Sequence, residues 1–321
     1  MTLDHEHLGP TGVYARTEHS AVSIGTEVAA YAGKEPLRPG RAYPRLLGYS
    51  NVARVMGVGT AVGDLRSGDR IFTNQSHQSA FVCDRNDVLA VIPVEVPSPL
   101  STLVYIANLS FSSFQRASLQ QGETVAILGL GPIGLAAVAV AKTMGARVIA
   151  IGNAKVRLDR ARALGADLCL RAGGEGTLRA LDKATGRKDV DLVLTTVNSW
   201  DGWLLALKLT CYGGRIVVLG FPGRGEDPPP FNPLATHYTY VKQLRIYHCG
   251  LTKRAAAERC QGDVKDNLKA LLDMMRGGVL RLETLVTHRV PWTDLERIYK
   301  IALRGDKGLV TAVLDWNLQE T

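Results

Sequence analysis

Between residues 11 and 100 the apolar positions fall in short runs, Val13 to Arg16, Asn51 to Val58, Arg70 to Thr73, Ala80 to Cys83 and Val88 to Ile92, separated by glycine, proline and aspartate. Pairs such as Gly63-Asp64 and Gly68-Asp69 have the chemistry of turns between strands, so this stretch predicts a β region. From Gly122 the pattern changes. VAILGLG leads into an Ala/Val-rich helical segment through Lys142, RVIAIG into a helix over 155–164, DLVLTTV into a helix ending at Leu209, and GGRIVVLG follows. Alternation of strand and helix predicts a parallel sheet with right-handed crossovers. After Gly250 come a helical pattern from Val264 to Met275, an extended piece at Val286-Thr287-His288-Arg289, a helix over Asp294 to Leu303 and a last strand from Leu309 to Asp315. The expected fold class is α/β.

The chain has 321 residues, 46% of them hydrophobic, which at roughly 150 residues per domain predicts two domains with real cores. Lys and Arg number 38 against 30 Asp and Glu, a net charge of +8 spread without a block of like charges. That distribution argues against a nucleic-acid partner and is compatible with an anionic cofactor or substrate. Five cysteines, Cys83, Cys169, Cys211, Cys249 and Cys260, form no C-x-x-C pair, which excludes a disulfide scaffold and a cysteine-rich zinc lobe. The N-terminus has no secretory pattern, and His5 and His7 there read as a polar tail rather than a metal pair. The longest apolar stretch, Val125 to Ala141, holds Pro132 and three glycines and does not read as a membrane span. A cytoplasmic enzyme without a membrane partner is the expectation.

Gly129-Leu130-Gly131-Pro132-Ile133-Gly134 follows the apolar run Val125 to Leu128 and opens a helix, the setting in which G-x-G-x-x-G binds a dinucleotide. The first glycine permits the turn, the second lets a diphosphate approach the backbone, and the third allows close helix-strand packing. Gly129, Gly131, Pro132, Ile133 and Gly134 are therefore the expected cofactor cradle. At the end of the second strand, where an acidic residue would bind the ribose 2′-OH of NAD, stand Asn153, Lys155 and Arg157. An amide and two cations suit a 2′-phosphate, so NADP(H) is the expected cofactor.

With these residues in view, the chain resembles the medium-chain dehydrogenase/reductase superfamily. GETVAILGLGPIGLAAVAVAKTMGARVIAI, RARALGAD, GGRIVVLG, LVTHRVPW and VTAVLDW are similar to its segments in order, as are SIGTEVAAYAG and YPRLLGYSNVARVMGVG followed by SGDRIF. The resemblance implies a GroES-like β domain from residues 1–109 and 253–321, a Rossmann domain over 110–252, an active site in the cleft and a homodimer. Zinc-using members carry a cysteine before a G-T-D-like triplet, a G-H-E and a third cysteine or acid. The corresponding stretches here read Ser23-Ile24-Gly25-Thr26-Glu27, Gly48-Tyr49-Ser50 and residues 105–110 without Cys, His, Asp or Glu. Zinc needs such donors, so no metal is expected. The N-terminal part is short against the family, and the G-T-E and G-Y-S forms are most similar to the zinc-less branch around bacteriochlorophyllide a dehydrogenase.

Without a Lewis acid, the chemistry must come from positioning and a side-chain proton donor. Thr26 matches the family's proton-relay hydroxyl, and Tyr49 stands where the histidine ligand would point into the cleft. His77, in the polar loop Gln75-Ser76-His77-Gln78-Ser79, is a further proton-shuttle candidate. Each has a plainer reading, Tyr49 as packing and His77 as a surface-loop residue. Arg38, Arg41 and Arg45 precede Gly48 and could hold a carboxylate, although a solvated basic loop is the default. The leading expectation is a zinc-independent NADPH-dependent oxidoreductase acting on a small ketone or alcohol. Enoyl reduction and a non-catalytic NADPH-sensing protein are the alternatives.

Overall fold

The computed structural model describes residues 8–33, 43–249 and 264–317; the readings on His5, His7, Arg38, Arg41 and Cys260 lie outside them. The chain divides into two compact units, one formed by Met1–Tyr105, Val264–Val279 and Val286–Thr321, the other by Ile106–Asp263 and Leu280–Leu285.

The first unit is built on β1 (Gly12–Val22), which is followed by the helix α1 (Ile24–Tyr31) and by β2 (Asn51–Val58), β3 (Arg70–Thr73), β4 (Ala80–Asp84) and β5 (Val88–Val91). β1 pairs antiparallel with β2, β4 and the last strand, Thr311–Asp315, which in turn lies parallel to Val286–Pro291. Both ends of the chain therefore contribute to one seven-stranded sheet. The register explains why the sequence announces only part of β1. As far as Glu18 the strand alternates buried and less buried positions, but His19 to Val22, set against Asp315 to Ala312, are buried on both faces. Period-two alternation disappears where neither face meets water. One core cluster packs Val13, Ala15, Ala53, Val55, Ile71, Phe81 and Val88, and another packs Val22, Val28, Ile298, Tyr299, Ala312 and Leu314.

The second unit follows the short helix α2 (Ser98–Ser101) and begins within α3 (Val104–Arg116). Its strands are β6 (Thr124–Leu128), β7 (Arg147–Gly152), β8 (Leu168–Arg171), β9 (Val190–Thr195), β10 (Thr210–Val218) and β11 (Arg245–His248), and its helices include α4 (Pro132–Thr143), α5 (Lys155–Ala163), α6 (Glu175–Thr185) and α7 (Trp200–Leu209). The sheet runs β11-β10-β9-β6-β7-β8 with every pairing parallel. The chain reverses direction of travel across the sheet beside β6, the switch point at whose carboxyl edge ligands bind. Residues 134–141 of α4 are all buried, and their glycine, alanine, leucine and valine side chains let the helix lie close to the sheet.

Candidate active site and cofactor cradle

The turn after β6 is shaped by what its glycines cannot spare. Gly129 has φ +89, and a Cβ there would lie 2.6 Å from Thr196 Oγ1 and 2.7 Å from Val197 Cγ1. A Cβ on Gly134 would lie 1.8 Å from the Gly129 carbonyl oxygen. Gly131 differs: its Cβ would meet nothing within 4 Å. Gly129 and Gly134 thus serve packing, while Gly131 leaves open space before the first turn of α4. Gly131 caps that helix without a side-chain hydrogen bond, and Pro132 follows at its first turn, where a missing N–H costs nothing. The remaining N–H groups and the positive end of the helix dipole suit a diphosphate. These residues fit a dinucleotide.

At the end of β7, Gly152 lies against Leu130, its Cβ position 2.8 Å from Leu130 Cδ1. Asn153 is exposed, and the Lys155 side chain, 89% exposed, pairs at 2.6 Å with Asp159 one turn along α5. Arg157 Nη1 donates to the Leu130 carbonyl at 3.0 Å, tying α5 to the glycine turn. Of the three groups expected to hold a 2′-phosphate, Lys155 and Asn153 face solvent and Arg157 has a structural contact. An exposed i,i+4 pair contributes little, so Lys155 can be drawn from Asp159 to a phosphate at small cost.

In the first unit, Thr26 is partly exposed on α1, while Tyr49 is 4% exposed. The Tyr49 phenol donates to Ser23 Oγ at 2.5 Å, and its ring meets Tyr105 edge-on at 5.8 Å between centroids. The organising group is Glu27, which the sequence reading passed over. Its Oε1 accepts the Ser23 N–H at 2.7 Å, and its Oε2 accepts the Tyr299 hydroxyl and His77 Nε2–H, each at 2.8 Å. Burial would raise the Glu27 carboxyl, but the charge and hydrogen bond of His77, with the donors from Ser23 and Tyr299, outweigh it and hold the group below the ordinary carboxylate range. Burial and the Glu27 charge push the Tyr299 phenol upward.

His77 belongs to the polar loop between β3 and β4, but its side chain is 4% exposed. Nδ1 lies 2.8 Å from Ser20 Oγ, which also accepts the Trp316 indole N–H at 2.9 Å. A carboxylate only accepts, so the proton facing Glu27 sits on Nε2. Gly48, at φ +96, gives the ring room, since a Cβ there would lie 2.8 Å from it. Tyr49 reaches Glu27 through the hydroxyl and amide of Ser23, two separate groups, so the connection positions the phenol rather than conducting a proton.

The places that the resemblance assigns to the family's zinc donors hold Ile24, Tyr49 and the residues Tyr105 to Ser110. Among the described residues no three His, Cys, Asp or Glu side chains gather into a metal-binding group. Glu27 and His77 are spent on each other and on Ser23, Tyr299 and Ser20. Cys83 is buried in β4, where burial pushes its thiol up to about 11. Among the described residues, the donor set does not fit a zinc ion.

The profile of the family described as zinc-binding dehydrogenase matches residues 132–267. NADP-dependent isopropanol dehydrogenase of Thermoanaerobacter brockii is 30% identical over 316 residues, covering 86% of this chain and 85% of that protein. L-threonine 3-dehydrogenase of Bacillus velezensis is 32% identical over 199 residues, 62% of this chain and 53% of that protein, so the chain spans about half the length of that relative. Alcohol dehydrogenase TADH from Thermus sp. ATN1 shares the fold, with a TM-score of 0.79 at 23% identity over 98% of this chain and 95% of that one. The architecture is that of a medium-chain dehydrogenase, with GroES-like and Rossmann domains. The chain belongs to the zinc-binding dehydrogenase family.

Proposed function

We propose that the protein is a zinc-independent, NADP(H)-dependent oxidoreductase that interconverts a small ketone and its alcohol. One observation carries the reading: within a family named for zinc, the ligand places hold Ile24, a buried Tyr49 hydrogen-bonded to Ser23, and a donor-free stretch at 105–110. These same residues motivate the placement near the bacteriochlorophyllide a dehydrogenase branch. Cofactor choice rests on the exposed Lys155 and Asn153 at the end of β7, and the NADP-dependent isopropanol dehydrogenase among its relatives agrees with it.

When bound, NADPH supplies the hydride. The glycine turn and the first turn of α4 hold its diphosphate, and Lys155 with Asn153 holds the 2′-phosphate. Tyr49 donates the proton to the substrate oxygen and Thr26 relays it. His77 has both ring nitrogens engaged, which supports a positioning role through Glu27 over that of a proton shuttle. The testing variant is Tyr49→Phe, which keeps the ring and removes the hydroxyl. It is expected to lower kcat by about 10²–10⁴ with NADPH affinity unchanged; a loss under about threefold, less than 1 kcal/mol of transition-state stabilisation, would return Tyr49 to packing. Consumption of NADPH with activated alkenes and with no ketone would select the enoyl reductase instead, and tight NADPH binding without turnover the sensing protein.

A further inference from the structure

Two buried polar side chains, Asn51 and Thr17, hold the loop that carries His77. Residues 74–79 form neither helix nor strand, yet the His77 ring is excluded from water and set on the Glu27 carboxylate. Both strand ladders stop short of this loop. β3 leaves β2 at the pair Thr73 and Asn51, and β4 joins β1 at the pair Ala80 and Arg16. Asn51 stands at the first of these places and Thr17 one residue past the second, and each is buried. Asn51 Nδ2 donates to the Ser76 carbonyl at 3.3 Å and to Thr17 Oγ1 at 3.0 Å. Thr17 Oγ1 donates to the Gln78 carbonyl at 2.6 Å, and the Thr17 N–H to the Ser79 carbonyl at 2.9 Å. The His77 N–H donates to the Leu47 carbonyl at 2.8 Å, so the peptide that precedes His77 is bonded at both ends.

The residue types follow from the count of hydrogens. A threonine hydroxyl has one, and Thr17 gives its own to Gln78, so toward Asn51 it can only accept. The Ser76 carbonyl also only accepts. Asn51 therefore faces two acceptors, which a primary amide satisfies with its two N–H bonds and an aspartate of the same shape does not. A loop that merely connects two strands runs over the surface and leaves its carbonyls to water. Here the carbonyls on either side of His77 are drawn onto buried side chains, and the result is an imidazole fixed against a carboxylate on α1. We propose that Asn51 and Thr17 are positioning residues for the reaction. They seat His77 on Glu27, whose other oxygen accepts the Ser23 N–H while the Ser23 hydroxyl accepts from Tyr49. They act through His77 and not on the substrate, and the inference rests on the reading of Tyr49 as the proton donor.

Proton–nitrogen NMR of the intact protein labelled at histidine reads the seating of His77, its signal identified by its loss in His77→Gln. The Nε2 proton is protected from exchange by burial and by its bond to Glu27. Thr17→Val keeps the shape and removes the hydroxyl, Asn51→Asp keeps the shape and removes both N–H donors, and Thr17→Ser restores the hydroxyl. In Thr17→Val and Asn51→Asp the Nε2–H signal should shift or be lost to exchange, and kcat for NADPH-dependent ketone reduction should fall about 10- to 100-fold with NADPH affinity unchanged. Thr17→Ser should recover both. A parent-like His77 signal in the two variants, with only the melting temperature lowered, would overturn the proposal by making the pair part of the fold alone. Failure of both variants to fold would overturn it in the same way. A displaced signal with a parent-like rate would also overturn it; there a slowed Tyr49→Phe would leave the reading of Tyr49 standing, and an equally fast one would remove that reading too.

Discussion

Glu27 accepts three hydrogen bonds from Ser23, His77 and Tyr299 while excluded from water. Its carboxyl is held below the 4.5 of an unperturbed glutamate, so its contribution to stability is complete above that value and is lost as pH falls through the lower folded-state value. Glu27→Gln should cost about 1.5–3 kcal/mol at pH 7, and the gap from the parent should shrink on acidification. Urea unfolding at neutral and acid pH measures both; a gap that stays constant would remove the charge from the explanation. Lys155 makes the second prediction at this scale. Lys155→Ala should weaken NADPH binding by about 1.5–3 kcal/mol and leave NADH binding unchanged. Equal losses for the two cofactors, measured by calorimetry, would place the 2′-phosphate elsewhere.

At the scale of elements, the glycine turn separates packing from binding. Gly134→Ala sets a Cβ 1.8 Å from the Gly129 carbonyl and should lower the melting temperature of the cofactor-free protein. Gly131→Ala adds a methyl to open space in a backbone conformation that alanine tolerates, so its melting temperature should hold while dinucleotide affinity falls. The opposite pattern in thermal melts and titrations would invert the roles given to the two residues. The turn itself was legible because its signature is local: an apolar strand, three spaced glycines and a helix. β2 and β3 match the sequence reading residue for residue, for they lie between explicit turn signals. α1 was not anticipated, because it is eight residues long and follows directly on the part of β1 buried on both faces. α3 hid for a related reason, since its serines satisfy themselves on carbonyls and leave no polar face to mark a helical period. Glu27 was missed because its meaning depends on His77 and Tyr299, 50 and 272 residues away in sequence.

Across the whole molecule, the family gives the architecture and the individual residues decide the chemistry. The fold is shared with solved dehydrogenases named for different substrates, so substrate class does not follow from it. Zinc independence is the claim on which the proposed chemistry depends. Zinc content per chain, measured by elemental analysis on the same preparation assayed for NADPH-dependent ketone reduction before and after chelation, tests it most directly. The account predicts far less than one zinc per chain and a rate unaltered by chelator; one zinc per chain, with activity lost on its removal and restored on its return, would contradict it.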